Sequence, residues 1–263
     1  MTLDVIIATY GTVGIERLRR VSLPKLINVG YIIGWQNHGG GRIPDELIRE
    51  DITVLRINEK GLSRNRNLAI AHSNADVVLI SDDDVTLYPH GIVELMKIYQ
   101  EEPLMDVITF RTVSAYSPVY PSESKILGFY LPKNYYIRSI DLSFRRKVSE
   151  KVKFHTSFGI NSGIFEACED ELFHLQCRRK KINCIFVPIT VGEHPGLSTG
   201  ITKTHDRKVL TSMGVVITKS YPFGFPLRLL LKAWRLSKGN PAVFINTMRH
   251  LFSGALKSFN MKF

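Results

Sequence analysis

The stretch over residues 75–85 constrains the fold of this chain more than any other. It is an apolar run of β-forming residues that ends in three consecutive carboxylates, Asp82, Asp83 and Asp84. A continuous apolar run is typical of a strand buried on both faces in a parallel sheet. Burying three adjacent carboxylates would be very costly, so we predict that they lie just past the strand, in the crevice where open α/β sheets bind ligands.

Neighbouring carboxylates repel one another unless a positive charge neutralises them. A hard divalent cation with oxygen ligands does this, and Mg²⁺ typically takes one or two carboxylates together with substrate phosphates. Taken alone, the three aspartates are better explained as a solvated turn, so the rest of the chain has to decide between the two interpretations.

Three further strands precede the triple aspartate, and helical stretches separate them. The predicted strands cover residues 4–11, 29–35 and 52–57, and the clearest helical spacing runs from Gly14 to Leu26. Four strands within the first 85 residues, alternating with helices, indicate a βαβ-type parallel sheet. A glycine run at residues 39–41 follows the second strand, but it matches no phosphate-binding motif and is read as a flexible loop.

A polar segment at residues 58–67 opens a helix after the third strand. It carries Arg64 and Arg66. Backbone N–H groups at a helix start, together with arginine, make a plausible site for an anion.

The second half of the chain is less regular. Another helix is predicted from Pro89 to about Glu101, then a strand over 107–110. Residues 111–155 are rich in tyrosine and proline, and an antiparallel strand is predicted over 135–144. This insertion is equally compatible with a sugar-binding surface and with a structural subdomain whose tyrosines fill a small core.

A helix with four carboxylates in its first turns is predicted over residues 166–175, and a strand over 182–187 follows it. Acidic residues near a helix N-terminus also simply complement the helix dipole. His194 comes just before Pro195; such a histidine is more often structural, although histidine is also a good metal ligand.

The net charge of +11 is unusual and suits phosphate-bearing ligands, an anionic membrane or nucleic acid. Residues 221–263 contain seven Lys or Arg and no Asp or Glu. Their helical spacing predicts two basic amphipathic helices, divided near residues 239–241, on an anionic membrane surface. The alternative is that these helices pack on the main domain and expose a solvated basic face.

The cysteine pattern and the hydropathy predict where the chain works. Three cysteines without a CxxC pair indicate reduced thiols and a cytosolic protein. Asp4 interrupts any signal-like start, and no apolar run approaches the length of a membrane span. We therefore expect a cytoplasmic protein that is either soluble or peripheral on the inner face of the cell membrane.

These pieces together resemble the GT-A fold of inverting, family 2 glycosyltransferases, over roughly residues 3–218. Residues 5–10 resemble the family's "VIIPTYN" start, and residues 61–70 its "GxSxARNxGI" segment, from which Asn65 and Ala69 depart. The triple aspartate resembles the DxD motif. Glu169 and Asp170, followed by a helix and a "VP" strand, resemble the ED motif, and His194 the family's late histidine.

The resemblance implies an α/β Rossmann-like, mostly parallel sheet flanked by helices. Residues 1–218 would form the catalytic domain, with a nucleotide-binding half (1–110) and an acceptor-binding half (111–218). Residues 219–263 would be a basic helical extension. The implied activity is hexosyl transfer from a nucleotide-sugar, with UDP the expected nucleotide, to a glycan or lipid-linked acceptor in bacterial surface polysaccharide synthesis.

The resemblance also assigns roles to residues. Asp170 is the expected general base, with Glu169 as the fallback. Mg²⁺ or Mn²⁺ is expected on Asp82, Asp84 and His194. The residues expected to bind the donor are Thr9, Tyr10, Asn37, Arg64, Arg66, Asp82 and Asp83. Gln36 and Asn37 stand where the family commonly has an aspartate that reads the base.

Three rival classes remain open at this stage. A nucleotidyltransferase also uses carboxylates and metal, but the late Glu-Asp pair and the tail argue against it. A non-catalytic binder of nucleic acid or membrane would more naturally place basic residues than three carboxylates at its main crevice, so no nucleic acid partner is expected. A retaining transferase is disfavoured if Asp170 lies near the anomeric carbon.

Overall fold

The computed structural model describes residues 1–115, 117–128, 131–133, 135–196 and 203–261. In these residues nine strands form one mixed sheet with the order β3-β2-β1-β4-β8-β6-β9-β5, and β7 pairs with β9 at the side. The strands are β1 (Leu3–Tyr10), β2 (Val29–Gln36), β3 (Ile52–Ile57), β4 (Val77–Asp82), β5 (Thr86–Leu87), β6 (Val107–Val113), β7 (Lys125–Ile126), β8 (Leu142–Arg145) and β9 (Cys184–Glu193).

The first four long strands are parallel, as the alternation of strands and helices predicts. In the register of the sheet, Ala8 of β1 pairs with Asp82 of β4, and Tyr10 pairs with Gln36 of β2. The carboxyl ends of β1, β2 and β4 therefore meet at one edge, and the three aspartates follow directly from that edge.

The second half of the sheet is mixed. β8 lies antiparallel between β4 and β6, whereas β6 and β9 are parallel. The strand expected over residues 135–144 is shorter and begins only at Leu142, because a 3₁₀ turn at Ser139–Asp141 precedes it. That turn carries residues of the cleft described below.

Eight α-helices accompany the sheet in the described part of the chain. They are α1 (Gly11–Arg17), α2 (Leu62–His72), α3 (Pro89–Glu101), α4 (Val148–Lys151), α5 (Glu169–Arg179), α6 (Arg207–Ser220), α7 (Phe225–Ser237) and α8 (Pro241–Phe259). The first begins and ends earlier than the predicted 14–26, because the backbone turns at residues 18–20 directly after Arg17.

Two apolar layers cover the faces of the sheet. Alternate residues of β1 point to opposite sides: Val5 and Ile7 join one core cluster and Ile6 the other. Helices α1 and α3 pack on the first face, and α2 and α5 on the second. This is the mostly parallel sheet flanked by helices that the resemblance implies.

The last three helices pack together in a separate apolar cluster built on Leu210, Leu229, Leu251 and neighbouring residues. Helix α7 ends at Ser237 and α8 begins at Pro241, so the break between them falls where the sequence predicts it, near residues 239–241. No helix in the described residues combines the length and apolarity needed to cross a membrane. The division of the chain at residue 218 stays a prediction; it falls near the end of α6, which packs on α8.

Candidate active site

A cleft of about 400 Å³ opens at the carboxyl edge of the parallel strands. Strands β1, β2 and β4 supply one wall, while the 3₁₀ turn at Ser139–Asp141 and the start of α5 supply the other. Of the residues predicted from the sequence, it brings together Thr9, Tyr10, Arg66, Asp82, Asp83, Asp84, Glu169, Asp170 and His194.

The middle aspartate is held inward. Asp83 accepts a hydrogen bond of 2.6 Å from the Thr9 hydroxyl and pairs with Arg17 Nη1 at 2.6 Å. Burial raises the pKa of the Asp83 carboxyl, although the Thr9 hydroxyl and Arg17 oppose this effect. Gly14 makes the close packing possible, because a Cβ there would lie 2.3 Å from the Thr9 hydroxyl. Asp83 therefore fixes α1 against the strand ends.

Asp84 faces His194, and their closest atoms, Oδ1 and Nε2, are 3.3 Å apart. Burial opposes ionisation of Asp84, but His194 and Arg17 outweigh it and lower the pKa of this carboxyl. In turn, Asp84 raises the pKa of His194. The other ring nitrogen, Nδ1, lies 2.9 Å from the carbonyl oxygen of Gly196, which orients the ring.

The side chains present fit a divalent cation as a partial ligand set. Asp84 Oδ1 is buried and, apart from its ion-pair contact with His194 Nε2, has no hydrogen-bond partner among the described residues. Carboxylate oxygen and imidazole nitrogen are suitable ligands for Mn²⁺. Asp82 lies beside them on the cleft wall. Among the described residues, no group of three His, Cys, Asp or Glu side chains is already arranged around one point, so a diphosphate and water would have to complete the shell.

Arg66 connects the two acidic segments. Its guanidinium donates to Asp82 Oδ1 at 2.8 Å, to Glu169 Oε1 at 3.1 Å and to the Ser139 hydroxyl at 3.0 Å. The side chain is almost completely buried and also lies over the ring of Phe154. The sequence predicts that Arg66 binds the donor, whereas in the structure its guanidinium binds these two carboxylates.

Asp170 and Glu169 occupy different surroundings. Asp170 Oδ2 accepts a hydrogen bond of 3.0 Å from the backbone N–H of Ser139, which holds the carboxylate at the cleft wall. Glu169 is buried against Arg66, and burial together with the Asp170 carboxylate raises the pKa of Glu169 to about 7. The same two causes raise the pKa of Glu171 well above its ordinary value. Asp170 is thus the more accessible carboxylate of the pair.

A buried ion pair supports the turn that presents Ser139. Arg138 Nε donates to Asp141 Oδ2 at 2.8 Å, and Asp141 also accepts from the backbone N–H of Thr112 at 3.0 Å. Tyr120 contacts both charged groups. At least this tyrosine of the insertion serves structure, and Tyr136 lines the cleft.

The residues at the ends of β1 and β2 define a separate part of the cleft. Gln36 is buried there, and its amide nitrogen donates to the carbonyl oxygens of Glu59 and Gly61. The Asn65 side-chain amide donates to the carbonyl oxygen of Gly34 at 2.8 Å. Only glycine fits at position 34, because a Cβ there would collide with this amide. Asn65 therefore ties α2 to β2, where the family pattern has alanine.

Two predicted donor-binding residues lie outside the cleft lining. Asn37 is exposed and has a left-handed backbone with φ of 51°, and Arg64 points outward from α2. Sequence reasoning did not single out Arg17 or Ser139 for the site. Arg17 is one of the basic residues of the predicted first helix, and that pattern could have indicated it. Nothing in the local sequence pattern indicates Ser139.

Comparison with known proteins agrees with this architecture. The family model "Glycosyl transferase family 2" matches residues 42–173, half of the chain. The chain belongs to this family and is a glycosyltransferase. No curated protein matches the chain at a significant level.

Solved structures of TarS from S. aureus share the fold. The crystal structure of TarS 1-349 in complex with UDP-GlcNAc superposes with a TM-score of 0.63 at 13% identity, covering 99% of this chain and 89% of that one. The crystal structure of TarS 1-349 superposes with a TM-score of 0.60 at 14% identity, covering 99% of this chain and 88% of that one. The crystal structure of S. aureus TarS superposes with a TM-score of 0.58 at 14% identity, covering 99% of this chain and 54% of that one. At these identities the likeness shows the GT-A fold.

Proposed function

We propose that this protein is a metal-dependent, inverting glycosyltransferase that moves a sugar from a UDP-sugar to a hydroxyl group of a glycan or lipid-linked acceptor. One observation carries the proposal. Arg66 joins Asp82 of the triple aspartate to Glu169 of the Glu-Asp pair, so that Asp170 lies beside the candidate diphosphate site in one cleft.

The donor occupies the side of the cleft formed by β1 and β2. Thr9, Tyr10 and Gln36 stand at the strand ends, where nucleotides bind in open parallel sheets. The UDP-GlcNAc complex of TarS, which has the same fold, supports a uridine nucleotide-sugar as donor. Arg17, already paired with Asp83 and 3.6 Å from Asp84, is placed to contact a diphosphate.

Asp84, Asp82 and His194 would hold Mg²⁺ or Mn²⁺. When bound, the cation supplies Lewis-acid stabilisation of the charge that develops on the leaving diphosphate. Asp83 takes no direct part in this proposal, because Thr9 and Arg17 already occupy its carboxylate. Its role is to fix α1 and Arg17 beside the diphosphate.

Asp170 accepts the proton of the acceptor hydroxyl. The Ser139 N–H holds its carboxylate in place, and the second carboxylate, Glu169, is engaged by Arg66. Attack on the anomeric carbon from the face opposite the nucleotide forms the new glycosidic bond as the bond to the diphosphate breaks. The configuration at that carbon is inverted.

The place of action is proposed from the charge distribution. The acid-free segment 221–263 supports contact with an anionic membrane surface, which would place the enzyme at the inner face of a bacterial membrane. Synthesis of a surface polysaccharide is the process that best suits such a position.

The assignment of the base is tested with Asp170→Asn and the matched variant Glu169→Gln. Release of UDP from UDP-GlcNAc is measured together with UDP binding. We expect Asp170→Asn to lower turnover by roughly 10²–10⁴-fold, the range of general base catalysis, with UDP affinity unchanged. Glu169→Gln should retain more activity.

Two results would contradict this assignment. Equal loss of turnover and UDP binding in Asp170→Asn would mean that the residue holds the donor site together. A larger loss in Glu169→Gln than in Asp170→Asn would make Glu169 the base.

A further inference from the structure

Helix α7 exposes an apolar face that no described part of the chain covers. The face consists of Leu227, Leu230, Leu231 and Trp234 on the helix, together with Phe223 in the turn just before it, and all five are exposed. We call these five residues the α7 face. Large apolar residues scattered singly on a surface are ordinary, but a contiguous group of this kind marks an interaction site.

Helical geometry explains why these residues form one face. In a helix with about 3.6 residues per turn, positions 227, 230, 231 and 234 lie on one side. The buried residues Leu229, Ala233 and Ser237 lie on the other side and pack in the core of the three-helix cluster. Packing therefore accounts for one side of α7 and leaves the α7 face free.

Basic residues border this face. Arg228, Lys232, Arg235 and Lys238 lie on the same helix or at its end, and no Asp or Glu follows Asp206 in the chain. An apolar face flanked by cations is the arrangement of helices that lie in the plane of an anionic lipid surface.

The second tail helix differs from α7. α8 buries Leu251, Gly254, Ala255 and Ser258 against its neighbours, and its Phe259 packs on Phe225. The sequence predicts both helices as candidates for the membrane. α8 also leaves Ile245, Leu256 and Phe259 exposed, but these are fewer and more widely spaced along the chain than the five residues of the α7 face.

We infer that the α7 face binds an anionic membrane surface, with its leucines and Trp234 among the lipid headgroups and acyl chains and the basic residues on phosphate groups. A second copy of the chain is a poorer occupant. In a two-fold dimer the same patch meets itself, so the cations of two α7 helices would face one another.

The inference rests on the proposed function in one respect. The membrane contact proposed there for residues 221–263 is assigned here to the α7 face.

The chain contains two tryptophans, and one of them reports directly on the contact. Trp35 is 0% exposed, whereas Trp234 is 64% exposed. We expect the emission of Trp234 to shift to shorter wavelength with vesicles containing phosphatidylglycerol, and to stay unchanged with phosphatidylcholine alone. Trp234→Phe should abolish the shift, and added salt should weaken it.

The matched test compares Leu227→Ser/Leu231→Ser with Leu104→Ser in sedimentation with the same vesicles. Leu104 is an exposed leucine just before β6, at the opposite edge of the sheet from the cleft. The double variant should bind vesicles roughly tenfold or more weakly, since two leucines lose their burial, and Leu104→Ser should bind like the wild type. Both should bind UDP like the wild type, which separates this inference from the proposed function.

Three outcomes would overturn the inference. One is equal vesicle binding by the wild type and the double variant. Another is no wavelength shift of Trp234 with anionic vesicles. The third is a wild-type dimer in analytical ultracentrifugation that the double variant converts to a monomer without vesicle binding by either, since the face would then join two copies.

Discussion

At the scale of single residues, Arg66 determines how the two acidic segments are arranged. Burying a guanidinium costs desolvation free energy, and the ion pairs of Arg66 offset this cost only while both carboxylate partners are present. Asp82 and Glu169 are 87 residues apart in the chain, and no local pattern places them together. Arg66 thus has a structural role that precedes any role toward a ligand.

Replacing this arginine should therefore affect folding first. We expect Arg66→Ala to lower the free energy of unfolding by about 3–5 kcal/mol, because Asp82 and Glu169 lose their common cation in a buried site. Urea denaturation measures this. Arg42→Ala, which removes an exposed cation paired with Asp45, is the control and should change little. Similar stability of the two variants would contradict the structural role of Arg66.

His174 is a second residue with a measurable consequence. It lies in α5 beside a smaller cavity, and its buried Nε2 meets no hydrogen-bond partner in the part of the chain that the structure describes. Burial lowers the pKa of His174 to about 3. The unfolded chain takes up a proton near the ordinary pKa of 6.5, whereas the folded chain does not. Between these two pKa values this histidine therefore makes stability fall as pH falls.

The corresponding prediction concerns the slope of stability against pH. In the wild type the free energy of unfolding should fall as pH falls from 6 to 4, and His174 should account for up to about 1.4 kcal/mol of this fall per pH unit. His174→Leu should remove that contribution. Denaturation curves across this window measure the slope. His72→Gln changes an exposed histidine on α2 and should keep the wild-type slope. An unchanged slope in His174→Leu would show that the side chain protonates without cost to the fold.

Residues of the candidate site that belong to short sequence motifs could be predicted, whereas residues that matter through contacts with distant parts of the chain could not. The triple aspartate and the Glu-Asp pair are compact motifs, and the cleft gathers both. Ser139 could not be predicted, because its importance comes from a backbone N–H aimed at Asp170 across the cleft. Arg64 and Arg66 look alike in sequence, yet only Arg66 lies on the inward side of α2.

At the scale of elements, the same distinction holds. The apolar runs predict the first four strands close to their observed bounds, and Pro89 marks the observed start of α3. β9 is longer than predicted, running past Pro188 to Glu193, because its register against β6 shifts in that region and tolerates a proline. Boundaries set by pairing with distant strands do not show in a local pattern.

The crossing of α6 and α8 depends on two glycines. A Cβ on Gly214 would lie 2.0 Å from the carbonyl oxygen of Leu251, and one on Gly254 would lie 2.1 Å from that of Thr211. The two helix backbones are therefore in direct contact. This contact joins α8 to α6, the helix that also reaches the cleft through Met213.

Adding a methyl group at this crossing should force the helices apart. We expect Gly254→Ala to destabilise the protein by roughly 1–3 kcal/mol through overpacking. Gly224→Ala is the matched control, since nothing lies within 4 Å of a Cβ there. Thermal unfolding of the two variants measures the difference, and equal melting temperatures would mean that the crossing yields without cost.

At the scale of the whole molecule, charge is divided between two regions. The acidic residues of the cleft lie at the carboxyl edge of the sheet, while the acid-free helices α6, α7 and α8 supply a large share of the net positive charge. A cleft lined by carboxylates repels a free diphosphate unless a cation accompanies it. The central claim is that a divalent cation on Asp84 makes this cleft a diphosphate site.

Calorimetric titration with UDP tests that claim most directly. The wild type and Asp84→Ala are titrated with Mn²⁺ and again with chelator, and Asp45→Ala is the matched control because Asp45 is exposed and lies away from the cleft. With Mn²⁺ we expect the wild type and Asp45→Ala to bind UDP. With chelator their UDP affinity should be roughly tenfold or more lower, a loss of about 1.4 kcal/mol or more in binding free energy. Asp84→Ala should bind weakly in both conditions. UDP affinity that neither chelator nor the loss of Asp84 changes would contradict the account.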